Sequence, residues 1–429
     1  MAIGMPSYRV AELFAGVGGF RLGLEGYPKR GVMGAGWKVV WSNQWEPATR
    51  QQHASDCYLR KWPDKASHSN VDIAKVLNGV EDGSIELPAF DLLVGGFPCQ
   101  DYSVAKTLSH STGLQGKKGV LWWQIERLLR IQMLAGTPSR YIMLENVDRL
   151  LSSPSTQRGR DFAVMLASLN DLGYAVEWRI VNAADYGFPQ KRRRVFILGY
   201  LKENKIIREK PDSWLLQTGV AARALPVLRE PSGLRTFDLP HGPLPEVSEV
   251  FGLGGAKSPF GRAGTCVDRR VTTIDVQAKA EPKTPLKSVL LSASEIPADY
   301  WVTDTAAIKR WEHLKGSKEE WRTSKSGFKY QYKEGAIPFP DALDEPARTI
   351  LTGEGGLTPS RSKHLIRHPR TKRLRRLVPE ELEALNGFPA GWTEGMPDAK
   401  RAFMMGNALV VGVVQRLGKA LKAYDQKVN

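Results

Sequence analysis

In the stretch GGFPCQDYS (95–103) a cysteine follows a proline at the end of the apolar run DLLVGG. A structural thiol would sit inside such a run, and a metal ligand would have partners close by. Cys99 instead falls just past the C-terminal end of an expected strand, where open α/β sheets place their chemistry. Pro98 bends the chain away from the sheet, and Gln100, Asp101 and Tyr102 give the thiol polar neighbours. A free thiol ionises at about pH 8.5 and lower beside cations or a helix N-terminus, which makes a nucleophile of Cys99. A buried inert cysteine is the alternative. YIMLEN (141–146) carries Glu145 and Asn146 to another strand end. A carboxylate delivered there by an apolar strand is partly shielded from water and could pass a proton near neutrality. The alternative is a helix cap, for which Asn146 or Asp148 is suited. QKRRR (190–194) leads into VFILGY, and alternation puts Arg192 and Arg194 on one face and Arg193 on the other. Two guanidiniums beside a thiol and a carboxylate would bind phosphate or a carbonyl oxygen; otherwise they are solvated edge charges.

FAGVGGF (14–20) lies between an expected strand and helix, where glycines let the backbone turn tightly and approach a ligand. Its spacing is not GxGxxG, and no phosphate-binding lysine follows. Gln44, Trp45 and Glu46 stand at the end of the second expected strand. An aromatic ring there could stack on adenine and a polar side chain could hold ribose hydroxyls, as in an adenosyl-cofactor site.

The elements that must position these groups follow the βα alternation of a doubly wound parallel sheet. Strands are expected at 8–14, 37–42, 91–94, 141–145, 174–181 and 195–201, with helices from about 20 and at 121–133 and 162–172. From about 201 to 369 the chain is rich in Pro, Gly, Ser and Thr without that alternation, which predicts a second, loop-rich domain. Trp301, Trp311 and Trp321 recur at tens but lie in no wider repeat. Helical texture returns at 379–385 and 408–423, the last stretch expected to pack back on the first domain.

The net charge of +16 suggests a polyanionic partner, and its clustering in KRRR (191–194) and RHPRTKRLRR (367–376) suits phosphate contacts. Cys57, Cys99 and Cys266 are odd in number and far apart, which speaks against disulfides and for a reducing, cytoplasmic setting. No Cys/His spacing of the zinc type occurs, so no metal is expected. The N-terminus lacks a secretory pattern, and the apolar run ALVVGVV is too short to span a bilayer.

FAGVGGF, GGFPCQDYS, MLENV, QKRRRVFILG, RRLVPEELEALNGFP and MGNALV, in that order, resemble the conserved blocks of DNA (cytosine-5) methyltransferases. The resemblance covers the first two hundred residues and the last sixty or so, and leaves about 205–345 unmatched, where that family keeps its variable target-recognition domain. It implies an α/β fold, a doubly wound, mostly parallel, Rossmann-like sheet with a smaller loop-rich target-recognition domain. The implied division is a catalytic domain at 1–204, target recognition at 205–375 and C-terminal blocks at 376–429. By this resemblance the Cys99 thiolate attacks C6 of a cytosine flipped out of double-stranded DNA. Glu145 holds N3 and the exocyclic amine, Arg194 binds O2, and Arg192 orders the site. The methyl donor is S-adenosylmethionine, leaving S-adenosylhomocysteine. Its site is implied to comprise Phe14, Ala15, Gly16, Gly18, Gly19, Gln44, Trp45, Glu46, Asp72, Ile73, Pro98, Leu121, Asn407 and Ala408. DNA contacts are implied for Gln100, Ser103, Lys117, Lys118 and Arg375, with residues 101–118 as a closing loop.

Three positions depart from the family pattern. Gln44 replaces a ribose-binding Glu unless Glu46 substitutes, GKKG (116–119) replaces an acid-x-Arg-Gly, and Ala408 replaces a frequent Ser. A tRNA methyltransferase of this fold would carry Cys-Phe-Thr, which is absent. A catalytically dead DNA-binding homologue would not need Cys99, Glu145 and Arg194 together, and the glycine spacing disfavours an oxidoreductase. The expected protein is a monomer working beside a restriction nuclease or another defence system.

Overall fold

The computed structural model describes residues 8–97, 121–201, 204–255, 257–323 and 327–428. Pro98, Cys99, Gln100, Ser103, Lys117 and Lys118 lie outside the described residues. Four apolar runs and one short polar pair become parallel strands: β1 (Arg9–Leu13), β2 (Lys38–Asn43), β3 (His68–Ser69), β4 (Leu92–Gly96) and β5 (Tyr141–Asn146), of which β3, which the sequence did not predict, is the pair. They lie side by side in the order β3-β2-β1-β4-β5. Val10, Leu13, Leu92, Leu93, Val94, Ile142 and Leu144 are fully buried, as strands covered on both faces must be. The helices between them are α1 (Gly19–Leu24), α2 (His53–Lys61), α3 (Ile73–Glu81), α4 (Leu121–Leu134) and, after β5, α5 (Arg160–Asp171). This is the doubly wound α/β sheet that the alternation predicts.

The sheet then continues antiparallel. It adds β6 (Tyr174–Asn182), β7 (Arg193–Leu201), β8 (Val227–Asp238), β9 (Ala263–Val267) and β10 (Arg270–Ala278), so that ten strands run β8-β10-β9-β6-β7-β5-β4-β1-β2-β3. The chain divides into two compact units, one of Met1–Tyr186, Arg193–Glu281 and Val411–Asn429, the other of Gly187–Arg192 and Pro282–Val410. The boundary expected after 204 therefore moves to 281. The physical reason is that β9 pairs with β6, closing an edge that would otherwise expose unpaired backbone groups. The expected C-terminal segment 376–429 is likewise split between the units at 410.

The second unit holds α6 (Thr305–Lys315), a two-stranded ribbon β11 (Lys318–Thr323) and β12 (Lys329–Glu334), the short pair β13 (Ile366–Arg367) and β14 (Leu374–Arg375), and helices α7 (Pro379–Leu385) and α8 (Asp398–Asn407). Of the three tryptophans spaced by ten, Trp311 packs with Leu365 and Leu374 in a small core, whereas Trp321 is 72% exposed. In the first unit, α9 (Val411–Val428) lies against α1. Gly418 permits that approach, because a Cβ there would meet Leu24 at 2.5 Å, and Trp37 Nε1 donates to the Gly418 carbonyl at 2.9 Å. No helix among the described residues is long and apolar enough to cross a membrane.

Candidate active site

The parallel register sets Glu145, near the end of β5, beside Gly96, the last residue of β4. A Cβ on Gly96 would lie 3.3 Å from Glu145 Oε2, so the bare backbone makes room for the carboxylate. Asn146 Nδ2 donates to the Phe97 carbonyl at 3.0 Å and so fixes the chain just ahead of Pro98 and Cys99. It is a strut between strand ends, not the helix cap allowed by its sequence; the turn after β5 has no side-chain cap. β7 runs antiparallel to β5 and brings Arg194 Nε to 2.9 Å from Glu145 Oε1. That oxygen is buried, yet it accepts no hydrogen bond among the described residues. The pair thus offers an oriented carboxylate oxygen and a guanidinium to a planar ligand with polar edges.

The glycine loop opens with Phe14, Gly16 and Gly18 at positive φ (54°, 54° and 87°). Nothing lies within 4 Å of a Cβ placed on Gly16, whereas one on Gly18 would strike Trp62 at 2.4 Å. The loop is therefore open on one side and packed on the other. The Gly16 N–H donates to Gln44 Oε1 at 2.7 Å, which ties the loop to the end of β2. Trp45 next to it is 39% exposed. The Glu46 carboxylate accepts from the Ala54 N–H of α2 at 3.2 Å. Asp72 caps α3 through the Ala74 N–H at 2.9 Å, and Ile73 is buried behind it.

Beneath the loop lies a group that the sequence patterns did not single out. Glu12 of β1 is fully buried and accepts from the Tyr58 hydroxyl at 3.0 Å and from the Arg21 N–H at 3.3 Å. Burial raises its pKa to about 7, against the opposing pull of Tyr58 and Arg21. The Arg21 guanidinium stacks 4.7 Å from the Trp62 ring. A lone acid inside YRVAELF was the available signal, since nothing but a partner justifies a charge in a central strand.

Two expected placements are corrected. Arg375, expected at the DNA, is fully buried and grips Glu381 with two hydrogen bonds of 2.6 and 2.8 Å. Arg192, expected to share a face with Arg194, precedes β7 and is buried in the second unit, donating to the Ile350 and Gly406 carbonyls at 3.3 and 2.9 Å. Arg193 pairs with Asp148 at 3.0 Å. Among the implied cofactor residues, Leu121 begins α4 in the first unit, while Asn407 and Ala408 end α8 in the second.

A family model described as C-5 cytosine-specific DNA methylase matches residues 8–423. The chain is 43% identical over 431 aligned positions to the Type II methyltransferase M.Sau3AI of Staphylococcus aureus, covering 99% of this chain and 98% of that one. It is 32% identical over 193 residues to the Type II methyltransferase M.NgoBI of Neisseria gonorrhoeae, or 45% of this chain and 50% of that one. The methyltransferase EhMeth of Entamoeba histolytica is similar in structure, with a TM-score of 0.56 at 13% identity over 99% of both chains. So is the Dnmt2 methyltransferase of S. pombe, with a TM-score of 0.54 at 14% identity over 97% of this chain and 99% of that one. At such identities these two likenesses speak to the fold.

Proposed function

The chain belongs to the C-5 cytosine-specific DNA methylase family, and we propose that it acts on a cytosine flipped out of duplex DNA through a covalent bond between Cys99 and C6 of the ring. The observation that carries this reading is the Glu145–Arg194 pair. It sets a buried carboxylate oxygen without a hydrogen bond beside a guanidinium, at the strand ends from which Cys99 follows.

C5 of cytosine is a poor nucleophile. Addition of the Cys99 thiolate to C6 forms a C–S bond and pushes the ring electrons toward C5, making an enamine. Glu145 stabilises the proton that N3 takes up from solvent and gives back when the thiolate leaves, and accepts from the exocyclic amine, while Arg194 donates to O2. These contacts strengthen as the ring charge redistributes, which is where binding accelerates chemistry. S-adenosylmethionine, when bound, supplies the electrophilic methyl group. Loss of the C5 proton to solvent and cleavage of the C–S bond then restore the aromatic ring.

The residues present fit that cofactor. The open side of Gly16 leaves backbone accessible, Trp45 offers an exposed ring for adenine, and Phe14, Gly18, Gln44 and Asp72 stand at the adjoining strand and helix ends. The likeness to a Type II methyltransferase along the whole chain supports a role beside a restriction nuclease with the same target. The test is Cys99→Ser. It should abolish methyl transfer and leave DNA binding largely intact, and the wild-type protein should become covalently trapped on duplex DNA carrying 5-fluorocytosine in its site. Normal turnover by the serine variant would overturn the covalent route. Bisulfite sequencing of DNA from expressing cells would define the target.

A further inference from the structure

In the second unit, residues 351–357 form a turn that is exposed at Leu351, Thr352, Gly353 and Leu357 and buries one side chain, that of Glu354. The Glu354 Oε1 accepts from the His364 N–H at 2.5 Å and lies 3.0 Å from His364 Nδ1. A carboxylate oxygen only accepts, so Nδ1 carries the proton. His364 is buried as well, and its Nε2 and the Glu354 Oε2 have no hydrogen-bond partner among the described residues. Two buried polar atoms left unpaired cost free energy, so the pair holds a position rather than adding stability.

Both sides of the turn are fixed. On the far side, Lys363 Nζ donates to the Gly356 and Thr358 carbonyls at 3.0 and 2.8 Å. Arg348, itself 2.6 Å from Asp341, donates to the Ser362 and Lys363 carbonyls at 3.0 and 2.9 Å. On the near side the turn lies directly on α8. A Cβ on Gly355 would meet Ala402 Cβ at 2.8 Å, and one on Gly406 would meet the Thr352 nitrogen at 2.4 Å. Arg192 ties the two together, since it donates both to the Ile350 carbonyl, just ahead of the turn, and to the Gly406 carbonyl of α8. Gly406 immediately precedes Asn407 and Ala408, where α8 ends.

We propose that Glu354 and His364 are positioning residues for the cofactor. Their hydrogen bond holds the turn against α8 and so fixes the helix end that presents Asn407 and Ala408 to S-adenosylmethionine. Close-packed backbone transmits a displacement instead of absorbing it, and Thr352 has no free space before Gly406. The role rests on the reading of the protein as an S-adenosylmethionine-dependent methyltransferase, and it brings into that site a pair that touches no ligand.

Three substitutions at one position separate this role from packing. His364→Asn sets its Nδ2 where Nδ1 stood and keeps the donor to Glu354. His364→Gln carries its amide on toward the Nε2 position and loses that donor, as His364→Ala does. The alanine and glutamine variants should bind S-adenosylhomocysteine about tenfold more weakly by calorimetric titration, and the asparagine variant within about twofold of the wild type. Without any ligand, amides at 351–356 and 404–408 should exchange faster in the alanine and glutamine variants than in the other two proteins. The KM for S-adenosylmethionine should rise with kcat unchanged at saturating cofactor. The glutamine keeps side-chain volume, so its comparison with asparagine holds if the alanine variant does not fold. Equal affinity in all the variants overturns the proposal, as does a loss shared equally by asparagine and glutamine, which would mark the imidazole as packing alone. A fall in kcat at constant KM overturns it too. A wild type that binds no S-adenosylhomocysteine overturns the cofactor reading along with the pair's role. If the affinities follow the expected order while no adduct forms on 5-fluorocytosine DNA, the positioning role stands and the covalent reaction does not.

Discussion

Gln44 shows how one atom can matter more than a charge. Its Oε1 accepts the Gly16 N–H at 2.7 Å, so the side chain holds the glycine loop even where a carboxylate is usual in the family. Removing that acceptor leaves a loop amide to find water or go unsatisfied, a loss of about 1–3 kcal/mol. Gln44→Ala should therefore weaken S-adenosylhomocysteine about tenfold by calorimetric titration, a step of about 1.4 kcal/mol. Gln44→Glu keeps an acceptor and should bind at least as well as the wild type. Equal affinity for the alanine variant would mean that the loop needs no latch. At this scale the sequence was legible where residue type and chain position coincide. Glu145 and Arg194 were readable because both stand at strand ends, and they meet. Arg375 was misread because burial depends on Glu381, a partner that only the packing of α7 supplies.

Glu12 acts between elements, joining β1 to the N–H of Arg21 in α1 and to the Tyr58 hydroxyl in α2. Its folded pKa, about 7, lies above the ordinary 4.5, so the folded state favours the protonated acid. The stability it contributes is full below about pH 4.5 and is lost as the pH rises through about 7. His68, stacked on Tyr58, works in the opposite sense, since burial lowers its pKa to about 4 and acid must charge it. Urea denaturation at pH 5.5 and pH 8 should therefore show Glu12→Gln gaining on the wild type as the pH rises, by up to about 2 kcal/mol. A difference that does not move with pH would exclude Glu12 as the titrating group. The longer strands of the first two hundred residues were legible because continuous apolar runs mark buried parallel strands, whereas the two-residue β3 and the helices α2 and α3 were not expected. The stretch 205–281 was not. β8 is interrupted by Pro231 and Gly233, with a register shift between Arg229 and Leu234, and β9 is only five residues long. Its pairing with β6 is a long-range fact that no local pattern carries.

Across the whole molecule, the chain returns at its end to cover where it began. α9 buries Val411, Val413, Val414, Leu417, Leu421 and Tyr424 in the first unit. At about 1.5–3 kcal/mol for each fully buried side chain, their loss would match or exceed the 5–15 kcal/mol by which domains are usually stable. The helix is also anchored by Asp425, which is 1% exposed and takes hydrogen bonds from Arg140 at 2.5 Å and the Tyr141 hydroxyl at 2.7 Å. Burial, with Asp425 beside it, pushes the Tyr141 pKa up, so this phenol stays a donor. Asp425→Ala leaves that hydroxyl buried without an acceptor and should cost about 1–3 kcal/mol, read by urea denaturation. Asp425→Asn keeps an oxygen acceptor and should cost less. A chain ending at residue 410 should lose cooperative unfolding of the first unit and expose β1 and α1 to hydrogen exchange. If the shortened chain instead kept its protection in β1 and α1, α9 would be an accessory helix and not part of the fold's core.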